Sequence, residues 1–489
     1  MRIFSRFVRI SAFTFLIAFC GRADVTLPAI LAEHMVIQRG LPVHVWGSAE
    51  PGEAVSVAFR GGTRGTVADS LGRWSVYLEP GEAGGPFDLT IKGNNSIALH
   101  DVLVGDVWIA SGQSNMELPV SSAANAQVEI ADAKHPRIRL FKADHKVSDY
   151  PLDDIAGHGW ADCNPETVAK FSAAAYYFGR HLQQRLNVPV GLIETDWGGT
   201  PADAWTSLHA LSADAALMPV FAEWARMNDD HATVLLERRK EERERGANRG
   251  WHPNEGNSWM PAGLYNAMIA PLTPFPIRGV IWYQGESNAT PERAPLYARL
   301  FQTMIRDWRR AWGEGDFPFL FVQIANFKTS PDSKWPEVRD AQRQTLALAN
   351  TGMAVIIDIG DPDNIHPKDK QDVGLRLALA ARAIAYGEKI EYSGPLFRQA
   401  TPEGNSLRVW FDHAESGLKA KGGELKGFEV AGADRKFVPA AARIDGATVL
   451  VSSSTVTSPV YVRYGWADNP DCNLYNSQDL PASPFRSGE

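Results

Sequence analysis

The chain has 489 residues, 44% hydrophobic and 22% charged, a balance that excludes a collagen-like or wholly disordered protein. At roughly 150 residues per domain, this length corresponds to about three domains, each able to bury a core of its own. Forty-nine basic side chains stand against 57 acidic ones, and the resulting net charge of −8 argues against a nucleic-acid surface.

Residues 1–23 differ from the rest. Arg2, Arg6 and Arg9 precede an apolar run from Ile10 to Phe19, and Gly21-Arg22-Ala23 supplies small residues at the cleavage subsites. This is the layout of a secretory signal peptide, and the run is too short to span a bilayer. Phe19 fills a place where a lipid anchor at Cys20 would need a small residue. Cleavage near Ala23 would release a periplasmic or secreted chain. It would remove four arginines and no acid, leaving 45 basic against 57 acidic side chains and a net charge of −12. No later stretch is apolar enough for a membrane span. Cys163 and Cys472 remain, as two free thiols or one disulfide.

Residues 24–103 read as a β-sandwich-like domain. Val43-His44-Val45-Trp46 and Ala54-Val55-Ser56-Val57 alternate at period two between Gly-rich turns. Residues 389–489 form a second β-rich region, with segments such as Leu407–Phe411 and Val460–Tyr464. The middle, 104–388, alternates strand and helix. Strands are predicted over 102–110, 188–194, 277–283, 317–324 and 354–359, and helices over 168–186, 296–312, 335–349 and 371–386. Such alternation predicts an α/β fold, a doubly wound parallel sheet with helices on both faces. Ligands in that architecture bind beyond the carboxyl ends of the strands. A helical insertion is expected over 207–250, where the mixed-sign run from Glu237 to Arg245 suits a solvated helix.

Four polar clusters follow predicted strands. Ser111-Gly112-Gln113-Ser114-Asn115-Met116-Glu117 could expose the Ser114 hydroxyl at a strand-to-helix turn and aim its N–H at a carbonyl oxygen, with Gln113 and Asn115 beside it as substrate-binding candidates. Met116 replaces the second glycine of a G-x-S-x-G elbow. In Asp196-Trp197-Gly198-Gly199-Thr200 the paired glycines let backbone N–H groups approach a ligand. Tyr283-Gln284-Gly285-Glu286-Ser287-Asn288 supplies amides that could donate to an oxyanion and a carboxylate that could orient a histidine. In Asp361-Pro362-Asp363-Asn364-Ile365-His366 the Asp363 carboxylate could fold back onto Nδ1 of His366 and leave Nε2 to take a serine proton. A calcium loop through Asp361, Asp363 and Asp372 is disfavoured, because Ile365 fills a ligand position.

Together these blocks resemble the SGNH (GDSL-like) hydrolases, specifically the sialate O-acetylesterase branch, and the similarity runs over most of the chain. The resemblance implies an exported carbohydrate esterase with Ser114 as nucleophile, His366 as base and Asp363 as orienting acid. The N–H groups of Ser114 and Gly199 would form two legs of the oxyanion hole. Ser287 stands where the general pattern has asparagine, so the third donor is Gln284 or Asn288. Glu286 is a second candidate for the acid beside His366. The expected substrate is an O-acetylated carbohydrate, with no metal or organic cofactor required. An acetylxylan or other polysaccharide deacetylase shares this mechanism. A non-catalytic carbohydrate-binding protein would suit the 15 Trp but has no use for Ser114, Asp363 and His366 together.

Overall fold

The computed structural model describes residues 24–227 and 257–488. The signal-peptide segment and the charged run of the insertion lie outside the described residues. The centre is a sheet of seven strands: β1 (Ser96–Gly112), β2 (His135–Ala143), β3 (Gly157–Cys163), β4 (Val190–Asp196), β5 (Gly279–Tyr283), β6 (Phe319–Val322) and β7 (Thr351–Ala354). Their order is β7-β6-β5-β1-β4-β2-β3, all parallel except the edge strand β3, which runs antiparallel to β2.

Alternation along these strands makes two cores, one on each face. Val107, Ile109, Ile193, Val280, Trp282, Phe319 and Phe321 point to one face, under helices α3 (Ala294–Trp312) and α4 (Trp335–Thr345). Trp108, Ala110, Leu192, Ile281, Leu320 and Val322 point to the other, under α2 (Ala173–Leu186) and α5 (Lys370–Ile384). A parallel sheet covered on both sides needs such near-continuous apolar strands. The helix boundaries have local causes. The Ser172 side chain accepts from Ala175 N–H to cap α2, which stops at left-handed Asn187, and α3 stops at left-handed Gly313.

Several elements differ from the sequence expectation. The antiparallel pair β2–β3 was not expected, because His135, Arg137 and Arg139 mask the alternation. The last strand is Thr351–Ala354 and meets the expected 354–359 at one residue only, since its ladder runs along its single neighbour Phe319–Val322. Residue 103 lies inside β1. The outer half of β1 pairs with Gly84–Lys92 and Val36–Gln38 of the N-terminal sheet, and its inner half is the middle of the parallel sheet. The C-terminal strands form two four-stranded antiparallel sheets and one two-stranded one around Val409, Val430, Val449, Val462 and Phe485. Cys163 and Cys472 are both free thiols.

Trp282 is fully buried among Trp205, Phe301 and Trp308 on the α3 side of the sheet. Trp282→Ala is expected to cost about 3–5 kcal/mol of stability, read as a lowered denaturant midpoint. A loss below about 1 kcal/mol would contradict this packing.

Candidate active site

Three central strands end in one row. Asp196 of β4 and Tyr283 of β5 both pair with Gly112 of β1, so the residues that follow emerge side by side. Gly112 has φ +142°, and a Cβ there would meet the Tyr283 carbonyl oxygen at 2.2 Å, so the strand can turn here only through glycine. The turn delivers Ser114 as the first residue of a short helix, α1 (Ser114–Glu117, preceding α2). His366 comes from the loop between β7 and α5, and its Nε2 lies 2.8 Å from Ser114 Oγ.

Burial lowers the pKa of His366, and the Lys370 cation lowers it further. The imidazole is thereby kept neutral and able to accept a proton at neutral pH. Its loop is held through the backbone: His366 N–H donates to Asn364 Oδ1 at 3.0 Å, and the Ile365 carbonyl accepts from Asn115 Nδ2 at 3.0 Å. Neither acid candidate reaches the ring. Asp363 is 83% exposed and its carboxylate faces Lys328 Nζ at 3.3 Å. The 363 backbone N–H is tied to Asp361 Oδ1, which turns the side chain outward. Glu286 is buried with Oε1 accepting from Asn115 Nδ2 at 2.7 Å, and burial raises its pKa.

Asn115 therefore joins three segments. Its Oδ1 accepts from Lys370 Nζ at 2.6 Å, while its Nδ2 serves both Glu286 and the Ile365 carbonyl. Lys370 is fully buried, lies 4.8 Å from the Tyr283 ring centroid, and has its pKa lowered to about 7 by desolvation. Nothing in the sequence singles out Lys370, since a lysine in the first turn of a helix ordinarily reads as solvent-facing. Gln113 is also structural in its contacts, with Oε1 accepting from Ser287 N–H at 3.2 Å.

The candidate oxyanion donors separate clearly. Gln284 spends both amide hydrogens internally, on the Thr200 carbonyl (3.2 Å) and Asn288 Oδ1 (2.6 Å), and its Oε1 accepts from Tyr297. Asn288 uses Oδ1 to accept from Ala202 N–H and Gln284, which leaves its buried Nδ2 with no partner among the described residues. The Gly198–Gly199 turn packs against the serine: a Cβ on Gly198 would lie 3.3 Å from Ser114 Cβ. Gly198 N–H donates to Glu117 Oε2, and Gly199 takes φ +74° with its carbonyl accepting from Trp259 Nε1. Ser114, Gly199 and Asn288 thus present N–H groups without a protein acceptor among the described residues, beside a serine hydroxyl and a neutral imidazole. That set suits attack on a carbonyl carbon.

A family model described as "carbohydrate esterase, sialic acid-specific acetylesterase" matches residues 104–216 and 249–385. The chain is 32% identical over 511 residues to a Sialate O-acetylesterase of Mus musculus, covering 90% of each. It is 32% identical to a Sialate O-acetylesterase of Homo sapiens, covering 90% of this chain and 88% of that one. Among solved structures it is similar to a novel carbohydrate acetylesterase from Xanthomonas citri, with TM-score 0.84 and 41% identity over 95% of this chain and 99% of that one.

Titration of His366, followed by NMR, is expected to give a midpoint below the ordinary 6.5. Lys370→Met removes a repelling cation, so the midpoint should rise. A midpoint that falls or stays fixed in the variant would contradict the electrostatic account.

Proposed function

The chain belongs to the sialic acid-specific acetylesterase family of carbohydrate esterases and is a carbohydrate acetylesterase; from that premise we propose that it removes O-acetyl groups from sialic acids through an acetyl-serine at Ser114. The observation that carries this reading is the 2.8 Å contact between Ser114 Oγ and His366 Nε2.

His366 takes the Ser114 proton as Oγ attacks the acetyl carbonyl carbon. The carbonyl oxygen becomes an oxyanion that accepts from Ser114 N–H, Gly199 N–H and Asn288 Nδ2. The imidazolium then gives its proton to the departing sugar oxygen, the C–O bond breaks and acetyl-Ser114 remains. Water, deprotonated by the same imidazole, attacks the acetyl carbon, and the serine leaves with the returned proton. The orientation of His366 comes from its loop, held by Asn364 and Asn115. Asp363 is assigned no part in the proton relay. The same reading has the chain exported after cleavage near Ala23.

An acidic sugar needs a local cation on a protein of net negative charge. A cavity of about 440 Å³ opens between Ala289 and Thr290, which follow Asn288, and the segment from Phe327 to Trp335. Lys328 is the one cation among its lining residues and also touches Asp363 on the His366 loop. Phe327 and Trp335, with ring centroids 5.8 Å apart, supply apolar walls for a sugar. Asp332 also lines the cavity and Lys328 is shared with Asp363, so the sialic acid reading is supported by the family match and by the apolar walls, not by a surplus of positive charge.

Ser114→Ala should abolish acetate release from O-acetylated sialic acid and from acetylated xylan alike. The wild type should favour the first substrate, and Lys328→Ala should lower kcat/KM for it more than for the second. Wild-type turnover by Ser114→Ala would overturn the nucleophile; a preference for xylan would overturn only the substrate. Asn288→Ala should lower kcat by about 10²–10³-fold, as loss of one oxyanion donor does. An unchanged rate would remove Asn288 from the hole.

A further inference from the structure

Behind the Gly198–Gly199 turn lies a second polar group that the ester chemistry does not use. Glu117 Oε1 faces His145 Nε2 at 3.4 Å, and the ligand atoms of Glu117, His145 and Asp196 all lie within 4.8 Å of one another. Asp196 is only 3% exposed, and its Oδ2 is buried with no hydrogen-bond partner among the described residues. A buried carboxylate without partners is costly unless a cation or a proton compensates it. The nearest cation is committed elsewhere: Lys142 Nζ lies 2.5 Å from Glu194 Oε1, and Glu194 Oε2 accepts from Ser172 N–H. Three carboxylates, Glu117, Glu194 and Asp196, thus share one lysine beside the turn on which an oxyanion would form.

The geometry points to a divalent cation of the Zn²⁺ or Mn²⁺ type, held by Glu117 Oε1, His145 Nε2 and Asp196 Oδ2. With metal–ligand bonds of about 2.0–2.1 Å, a tetrahedral site has edges of about 3.4 Å, matching the Glu117–His145 separation. One imidazole with two carboxylates favours Zn²⁺ or Mn²⁺ over Ca²⁺ or Mg²⁺, whose sites are built from oxygen. The ligands are also oriented from behind. Glu117 Oε2 accepts from Gly198 N–H at 2.6 Å, and the His145 ring stacks on Trp197 at 4.3 Å with planes 7° apart. The His145 side chain is 35% exposed, so the site is open to entering ions. Among the described residues the other cluster of this kind, His34, Asp101 and Asp162, already has its cation, because Arg139 pairs with both of its acids.

The ion takes no part in acyl transfer. It links α1, which begins at Ser114, to the turn carrying Gly198 and Gly199, and it neutralises the carboxylates behind that turn.

Chelator-treated full-length protein would be titrated with Zn²⁺, Mn²⁺, Ca²⁺ and Mg²⁺ by calorimetry, with the thermal midpoint followed in parallel. One Zn²⁺ or Mn²⁺ per chain should bind saturably and raise the midpoint. Asp196→Asn and His145→Ala should each weaken binding at least tenfold and lose the rise. Asp196→Asn without metal should be more stable than the metal-free wild type, since a neutral amide needs no counter-charge. Absence of saturable binding to the wild type, or binding undiminished in both variants, would overturn the proposal and leave a proton on Asp196 as the compensating charge.

Discussion

Polar groups gathered at the end of a parallel sheet must find partners there, because two apolar cores close over the strands behind them. Asn115 meets that constraint for most of the site. Its side-chain amide joins the turn after β1, the turn after β5 and the loop after β7, through Glu286, the Ile365 carbonyl and Lys370. Each of those partners is buried or belongs to a backbone that must hold one position. A buried donor or acceptor stripped of its partner costs about 1–3 kcal/mol, so the network holds one arrangement against its alternatives. Ser114 and His366 are brought into contact by residues that themselves do no chemistry.

The same network sets the electrostatics of His366. Lys370 sits where its charge disfavours a second cation on His366, and burial acts in the same direction. No carboxylate meets the ring among the described residues. A serine and a neutral histidine, with the imidazole oriented by its backbone, is a smaller device than a three-residue relay. A surplus of carboxylates lies across the serine. There Glu117, Glu194 and Asp196 crowd behind the Gly198–Gly199 turn with one lysine between them. Lys370 is thus matched by Glu286 through Asn115 on one side of Ser114, whereas on the other side the carboxylates outnumber the cations.

Much of this was legible in the sequence, for identifiable reasons. Strands buried on both faces are apolar runs whatever their partners, so β1, β4, β5 and β6 could be read directly, and each polar cluster stood out where such a run ended. Ser114 and His366 stood out as candidates by residue type and position after a strand, while their roles came from the family resemblance. What the sequence could not carry was direction. Asp363 stands three residues before His366, yet the Asp361 turn sends its carboxylate to Lys328. Gln284 and Asn288 are equal as amides in sequence. They part only because Gln284 is enclosed by Thr200, Asn288 and Tyr297. Lys370 gave no signal, since an ionisable residue in a helix normally faces water and its burial depends on contacts far along the chain. β2 and β3 were hidden for a related reason. They lie toward the edge of the sheet, where charged residues such as Arg139 are tolerated and paired.

The central claim is that Ser114 is a nucleophile activated by His366. The most direct measurement is stoichiometric labelling with a fluorophosphonate, which reacts only with an activated serine, followed by peptide mapping. The account predicts one label per chain, on Ser114, with acetyl-ester hydrolysis lost in proportion and labelling slowed sharply in His366→Ala. Label on another residue with loss of activity, or hydrolysis that persists once Ser114 is fully labelled, would contradict it.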